Sequence, residues 1–316
     1  MKIITFEDIK KLNVSPADCY RWTSEMIKNK RNAVLPAKIS MKPRDGVFCN
    51  VMPCIVQDGS ASWGGVKIVT RYPERNPSLD SQLILLDVIS GEVLALMDAN
   101  WITAMRTGAV AAHSIMLFAK EDFSEIGMIG LGNTARATLL VLTEMMPAHQ
   151  FNIKLMRHKG QEIEFAKYFA EYTNLQFCYV DDNEKLVRGS DVVISAATYL
   201  PEDICSDDCF DEGVLVVPIH TLGFTNCDLF FDKIYADDFN HVCHFKNFDK
   251  FKKFSEVSDV VNGRTVGRES KKERIMVYNI GVSMHDINFA AHIYQMLKGS
   301  ELKEIDLMTP QNKFWV

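Results

Sequence analysis

The feature that most constrains this chain is a glycine loop, Met128-Ile-Gly130-Leu-Gly132-Asn133-Thr134-Ala135. It lies between a short apolar run at 126–129 and a stretch of helical spacing at 135–145. The pattern is G-x-G-x-x-A with a strand before it and a helix after it. In that pattern Gly130 permits the tight turn, Gly132 lets the backbone approach a pyrophosphate, and Ala135 lets the helix pack close to the strand. N–H groups at the helix start then face the phosphates. Strand candidates at 153–156, 177–180, 192–196, 214–217 and 234–236 follow, with a helix candidate at 162–172. Strands alternating with helices imply an α/β fold with a doubly wound parallel sheet. Asn133, Thr134 and Ala196 join the loop as expected cofactor contacts.

The end of the second strand bears on cofactor choice. A carboxylate about 20 residues past the loop would hold the ribose 2′-hydroxyl of NAD. Here the strand runs into Arg157-His158-Lys159, with no acid until Glu162. Arg157 would neutralise a 2′-phosphate, with His158 or Lys159 assisting, so NADP(H) is favoured over NAD(H).

Residues 1–100 have a different texture. Turn clusters such as Pro43-Arg44-Asp45-Gly46 separate short apolar runs, and 66–70, 83–88 and 93–97 read as strands. Thr103 can cap a helix over 104–118, and a further helix is expected at 285–298. Three cations stand in apolar settings: Lys38 after Leu35-Pro36-Ala37, Lys67 within a strand candidate, and Arg106 on an Ala-rich helix. Composition alone would make each a surface charge. A lysine inside a strand is costly unless its head is exposed or paired, so their embedding raises the alternative of an anion pocket.

Charge and cysteine usage narrow the class. Lys and Arg total 35 against 41 Asp and Glu, a net charge of −6, which argues against a nucleic-acid footprint. No apolar run approaches the roughly 18 residues that span a bilayer. The N-terminus lacks the apolar core of a signal peptide, so a cytoplasmic protein without a membrane partner is expected. The 8 cysteines are diluted over 316 residues and form no CxxC pair. Cys205 with Cys209, and His241-Val-Cys243-His244, lack a plausible second half, so no metal site is expected.

At these residues the chain resembles the ornithine cyclodeaminase/mu-crystallin family. The resemblance rests on Met52-Pro53, Gly65-Val-Lys67-Ile-Val, Gly91-Glu-Val-Leu-Ala-Leu-Met-Asp98 and Ile102-Thr-Ala-Met-Arg106-Thr107-Gly-Ala, followed by the glycine loop. It implies a Rossmann-type sheet at 113–286 inserted in a second α+β domain, 1–112 plus 287–316, which binds substrate and forms a homodimer. It also implies a small α-amino or α-imino acid as substrate. By motif, Lys67 would lie next to the reacting nitrogen and Arg106 would clamp the carboxylate. Lys38 falls where many members have an arginine. Thr107 would approach the cofactor, and Ser78 would lie near a polar position of the site. Lys67 is expected to exchange a proton, its pKa lowered by neighbouring cations and partial burial.

One departure matters. Cyclodeaminases carry an aspartate shortly after the fifth Rossmann strand, a position that falls near Leu222 here. Asp228 matches a later acidic position, and His220 is the nearest titratable group upstream, either a proton carrier or a structural histidine. The resemblance therefore points to imine reduction or amino-acid dehydrogenation by hydride transfer. Cyclisation of ornithine with loss of ammonia, using NAD, and a non-catalytic NADPH- or ligand-binding protein stand as alternatives.

Overall fold

A computed structural model describes residues 1–58, 61–197, 200, 202–219 and 229–316. In chain order its elements are β1 (Lys2–Ile4), α1 (Phe6–Lys11), α2 (Pro16–Lys28), β2 (Ile39–Met41), β3 (Phe48–Asp58), β4 (Ala61–Arg71), β5 (Leu79–Asp87), β6 (Val93–Asp98) and α3 (Asn100–Phe118). Then come β7 (Glu125–Ile129), α4 (Asn133–Met145), β8 (Phe151–Met156), α5 (Gln161–Tyr168), β9 (Leu175–Val180), α6 (Asn183–Val187) and β10 (Val192–Ser195). The chain continues through β11 (Leu215–Pro218), β12 (Lys233–Ala236), α7 (Phe239–Val242), β13 (Phe254–Glu256), α8 (Val257–Val261), β14 (Ile275–Tyr278), α9 (Ser283–Met296) and β15 (Lys303–Glu304).

The chain divides into two units. The first holds residues 1–13, 33–102 and 286–316; the second holds 14–32 and 103–285. The sequence had suggested 1–112 plus 287–316 against 113–286. The difference has a physical cause in α2. Ser15 caps this helix, with Pro16 in its first turn. The helix packs against α4 and α8 of the second unit. Just past its end, buried Lys30 forms ion pairs with Asp238 and Glu256. Nothing in the local sequence announces those distant partners.

The first unit is built on a seven-stranded sheet ordered β15-β1-β6-β5-β4-β3-β2. Its pairings are antiparallel except β1 with β6. The pleat sends Gly65, Lys67 and Val69 of β4 to the buried face, beside Met52 and Cys54 of β3 and Leu83 and Leu85 of β5. Gly65 is required there: a Cβ would stand 2.2 Å from the Ile84 carbonyl oxygen of β5, and 2.7 Å from Ile287 Cδ1. The missing side chain lets the helical run after Asp286 lie close on the sheet.

The second unit contains an eight-stranded sheet, all parallel, ordered β13-β12-β14-β11-β10-β7-β8-β9. Its central strands β10, β11 and β14 are buried along their whole length, as parallel strands covered on both faces must be. The α/β doubly wound reading of the sequence holds. Two boundaries differ. The helix expected from Thr103 begins at Asn100, where the Asp98 carboxylate accepts the Asn100 N–H. Thr103 sits inside the helix, and its carbonyl accepts the Thr107 hydroxyl. The helix expected to reach 172 ends at Tyr168, because the following N–H groups reach back three residues and tighten into turns. No helix among the described residues is long and apolar enough to cross a membrane.

Candidate functional site

The glycine loop lies where the order of the parallel sheet reverses. From β7 the chain moves outward through β8 and β9, then returns to place β10 on the other side of β7. That crevice, outside the carboxyl ends of the strands, is where open α/β sheets bind ligands. Gly130 has φ +79°, and a Cβ there would lie 2.5 Å from the Ala197 amide nitrogen. The turn therefore demands glycine. Ala196 forms the facing wall, its N–H donating to the Ile129 carbonyl. Gly132 is different, since a Cβ on it would meet nothing within 4 Å. It caps the 13-residue α4 with no side-chain hydrogen bond to the first turn. Helix-start N–H groups without a side-chain cap, beside open space, fit a pyrophosphate. Asn133 and Thr134 open α4, and Ala135 is fully buried beneath them. Nearby, a Cβ on Gly108 would stand 2.5 Å from Ala137 Cβ, so α3 and α4 cross at close range.

Beside the loop is a groove of about 410 Å³ lined by Gly132, Asn133, Arg136, Lys159, Gly160 and Glu164, among others. Arg136 was not singled out from sequence; its place one residue after the loop's last small residue was the available signal. Arg157 turns towards Asp181, with Nε 3.2 Å from Oδ1, and its guanidinium stands over the Tyr179 ring. Both partners are exposed, so the pair is weak. The His158 N–H donates to Glu162, whose carboxyl is lowered mainly by that bond.

In the first unit, Lys67 has no exposed surface. Its ammonium lies 2.8 Å from Asp286 Oδ1, and neither side chain is exposed. A carboxylate is thus among its neighbours. Burial is complete rather than partial. The sequence reading missed Asp286, although an acid at the start of the expected helix 285–298 was visible. Lys38 is half-buried just before β2, and Ser78, also half-buried, precedes β5 and lends its carbonyl to Tyr72 and Arg75.

In the second unit, Arg106 is buried on α3 and packs on the backbone of Gly281, at φ +75°. Thr107 is half-buried and bonds to its own helix. Close to the carboxyl ends of β12 and β14 lies a polar cluster. Lys30 donates to the Asp237 carbonyl at 2.8 Å, and pairs with Asp238 at 2.8 Å and Glu256 at 2.7 Å. His241 Nδ1 lies 2.8 Å from Asp238. Burial would raise the Asp238 carboxyl, but the His241 bond and Lys30 outweigh it and hold it down at about 2. His241 is thus engaged by a carboxylate, and among the described residues no group of three metal-ligating side chains converges. His220, Leu222 and Asp228 lie outside the described residues.

A doubly wound parallel sheet with a glycine turn at its switch point defines a dinucleotide-binding class of protein. Within that class, the family model of the ornithine cyclodeaminase/mu-crystallin family matches residues 2–301, and the chain belongs to this family. It is 26% identical over 280 residues to the nodulation efficiency protein NfeD of Rhizobium meliloti, covering 83% of each chain. It is 24% identical over 264 residues to a Delta(1)-pyrroline-2-carboxylate reductase of Bacillus cereus, covering 78% of this chain and 80% of the relative. In structure it is similar to Thermococcus litoralis Delta(1)-pyrroline-2-carboxylate reductase in complex with NADH and L-proline. The TM-score is 0.84 at 21% identity, over 96% of this chain and all of the other.

Proposed function

We propose that this protein is an NAD(P)-dependent oxidoreductase that reduces the imine of a small α-imino acid, or runs the reverse oxidation of the amino acid. The observation that carries this is the Lys67–Asp286 pair, a lysine buried without exposed surface against a buried carboxylate. A strand position that could hold leucine at no electrostatic cost holds an ion pair instead. The pyrroline-2-carboxylate reductases among its relatives support the same substrate class.

The nicotinamide, when bound, supplies or accepts the hydride at the carbon bearing nitrogen. Lys67 gives the nitrogen a proton as the imine becomes an amine, and takes it back in the reverse direction. Asp286 orients Lys67 and favours its recharged ammonium form. Arg106 and Lys38 hold the substrate carboxylate; the guanidinium offers a planar fork and the lysine a point charge. Ser78 borders the substrate, and Thr107 the cofactor. Gly130, Gly132, Asn133, Thr134, Ala135 and Ala196 form the cradle for the pyrophosphate.

NADP(H) is the preferred cofactor in this reading. The 2′-phosphate draws on Arg157, His158 and Lys159, with Arg136 added by the groove it lines with Lys159. Breaking the exposed Arg157–Asp181 contact costs little. The first unit forms a homodimer, a reading supported by exposed Val34, Ile39 and Met41 along its β2 edge.

The test is to mix the protein with NADPH, then NADH, and follow absorbance against cyclic imines carrying a 2-carboxylate. Oxidation of NADPH by such an imine is expected. No oxidation with any imine, but ammonia release from ornithine with NAD, would replace this reading by the cyclodeaminase.

A further inference from the structure

We propose that Tyr168 is a positioning residue for Arg136, and that this pair, more than Arg157, selects a cofactor bearing a 2′-phosphate. The proposal deepens the NADP(H) reading and rests on it. The groove beside the glycine loop takes part of its lining from the start of α4, with Gly132, Asn133 and Arg136. The rest comes from the turn into α5, with Lys159, Gly160 and Glu164. The turn after the second strand of such a sheet is where the adenosine ribose is read. Arg136 and Lys159 are the cations that line the groove. Among the described residues neither of their charged heads has a hydrogen bond or an ion pair. Glu164 lines the same groove and pairs with neither. Arg157 is placed differently. It pairs with Asp181, stands over the Tyr179 ring and does not line the groove.

What holds Arg136 is a ring. Its guanidinium carbon lies over Tyr168, 5.3 Å from the ring centroid. Arg136 stands in the first turn of α4, and Tyr168 is the last residue of α5. The Tyr168 ring is exposed, yet it is anchored: it meets Phe169 edge to face, with centroids 4.9 Å apart and planes at 80°. Phe169 is buried and packs against Phe165 and Phe177. The guanidinium thus rests on a ring tied to the core. A ring offers a cation its face and takes no N–H donor. The full fork of Arg136 therefore stays available for a phosphate. Ordering a long arginine also costs rotamer entropy, and the contact with the ring offsets part of that cost before the ligand arrives. Two further features agree. A cation in the first turn of a helix opposes the helix dipole, a position that an incoming anion relieves. At Arg157 a phosphate must first displace the charge of Asp181, whereas at Arg136 no carboxylate stands in the way.

The test is Tyr168→Ala beside Tyr168→Phe. Binding of NADPH and NADH is read by fluorescence titration, and binding of 2′,5′-ADP and 5′-AMP, which differ by the 2′-phosphate alone, by calorimetry. Tyr168→Ala is expected to raise the Kd for NADPH and 2′,5′-ADP about three- to fivefold, with NADH and 5′-AMP moving far less. Tyr168→Phe keeps the ring and should restore the wild-type ratio. In an Arg136→Ala background, Tyr168→Ala should cost nothing further. Equal weakening of both members of each ligand pair would overturn the proposal. So would a loss that Tyr168→Phe does not restore, a full second loss in the Arg136→Ala background, or an Arg157→Ala that costs NADPH more than Arg136→Ala. If the wild type binds 2′,5′-ADP no better than 5′-AMP, the NADP(H) reading fails. The crystal structure of Tyr168→Ala then still decides the positioning: Arg136 swung out of the groove supports it, and Arg136 unmoved overturns it. Should Tyr168→Ala not fold, Tyr168→Leu keeps an apolar contact for Phe169 without a ring and is expected to give the same selective loss.

Discussion

Lys67 in the first unit and Arg106 in the second are both buried cations, and their described surroundings differ. Lys67 in the first unit meets Asp286 directly at 2.8 Å, with both groups sealed from solvent. Arg106 in the second unit is seated on the Gly281 backbone, while the nearby Asp237 spends its oxygens on an amide side chain and a peptide N–H. A carboxylate partner suits a group that must lose and regain a proton, because it favours recharging. Packing against a glycine backbone suits a group that must present a fixed face.

The sharpest break of this comparison is Lys67→Met. Turnover of the imine is expected to fall about a thousandfold, the range for loss of a general acid, with NADPH affinity unchanged by fluorescence titration. The same change leaves Asp286 buried without its partner and should cost about 3–5 kcal/mol in urea unfolding. Adding Asp286→Asn should restore most of that stability and none of the activity. Recovery of turnover in the double variant would end the proposed role of Lys67.

A second test concerns a buried base outside both pairs. His113 on α3 packs against the Tyr20 ring in a tilted arrangement and is pushed down to about 4 by burial. The folded state disfavours its charged ring, whereas the unfolded chain takes up the proton near 6.5. Stability is therefore full above that value and falls as the pH drops towards 4. The loss is about 3 kcal/mol over that window. His113→Phe should flatten this acid limb in unfolding midpoints measured from pH 7 to pH 4; a limb of unchanged slope would refute the assignment.

Two smaller effects separate the glycine loop from the cation pairs. Gly132→Ala meets nothing in the protein, so the melting temperature should stay put. NADPH affinity should weaken about tenfold as the backbone is held off the pyrophosphate. Equal weakening of both properties would mean the site is packed differently. Arg136→Ala and Lys159→Ala should each cost NADPH a few-fold in Kd, with NADH nearly unaffected. Parallel losses for both cofactors would count against a 2′-phosphate contact.

Much of this was legible in the chain. The glycine loop announced itself because its chemistry is local: φ, a close approach and a helix start are all set within eight residues. Lys67 and Arg106 were conspicuous because a charge in an apolar stretch breaks its period. What supports them was not legible. Asp286 is more than two hundred residues from Lys67, and the Asp237–Asn279 bond spans forty-two. No period or propensity encodes such pairings. Helix α2 was missed for the same reason: its cap and proline were readable, but its place in the second unit depends on Lys30 finding Asp238 and Glu256.

The run from Gly281 to Asp286 has a consequence for how this chain could change over time. Gly281 backs Arg106, and five residues later Asp286 holds Lys67. One inserted residue in the first turn of α9 would rotate Asp286 by about 100° and carry it about 1.5 Å along the axis. Lys67 would then face the wrong side of the helix. Asp286 is therefore fixed in phase along its helix as well as in chemical kind. Variants that alter substrate choice should therefore arise by substitution around it and not by insertion within it.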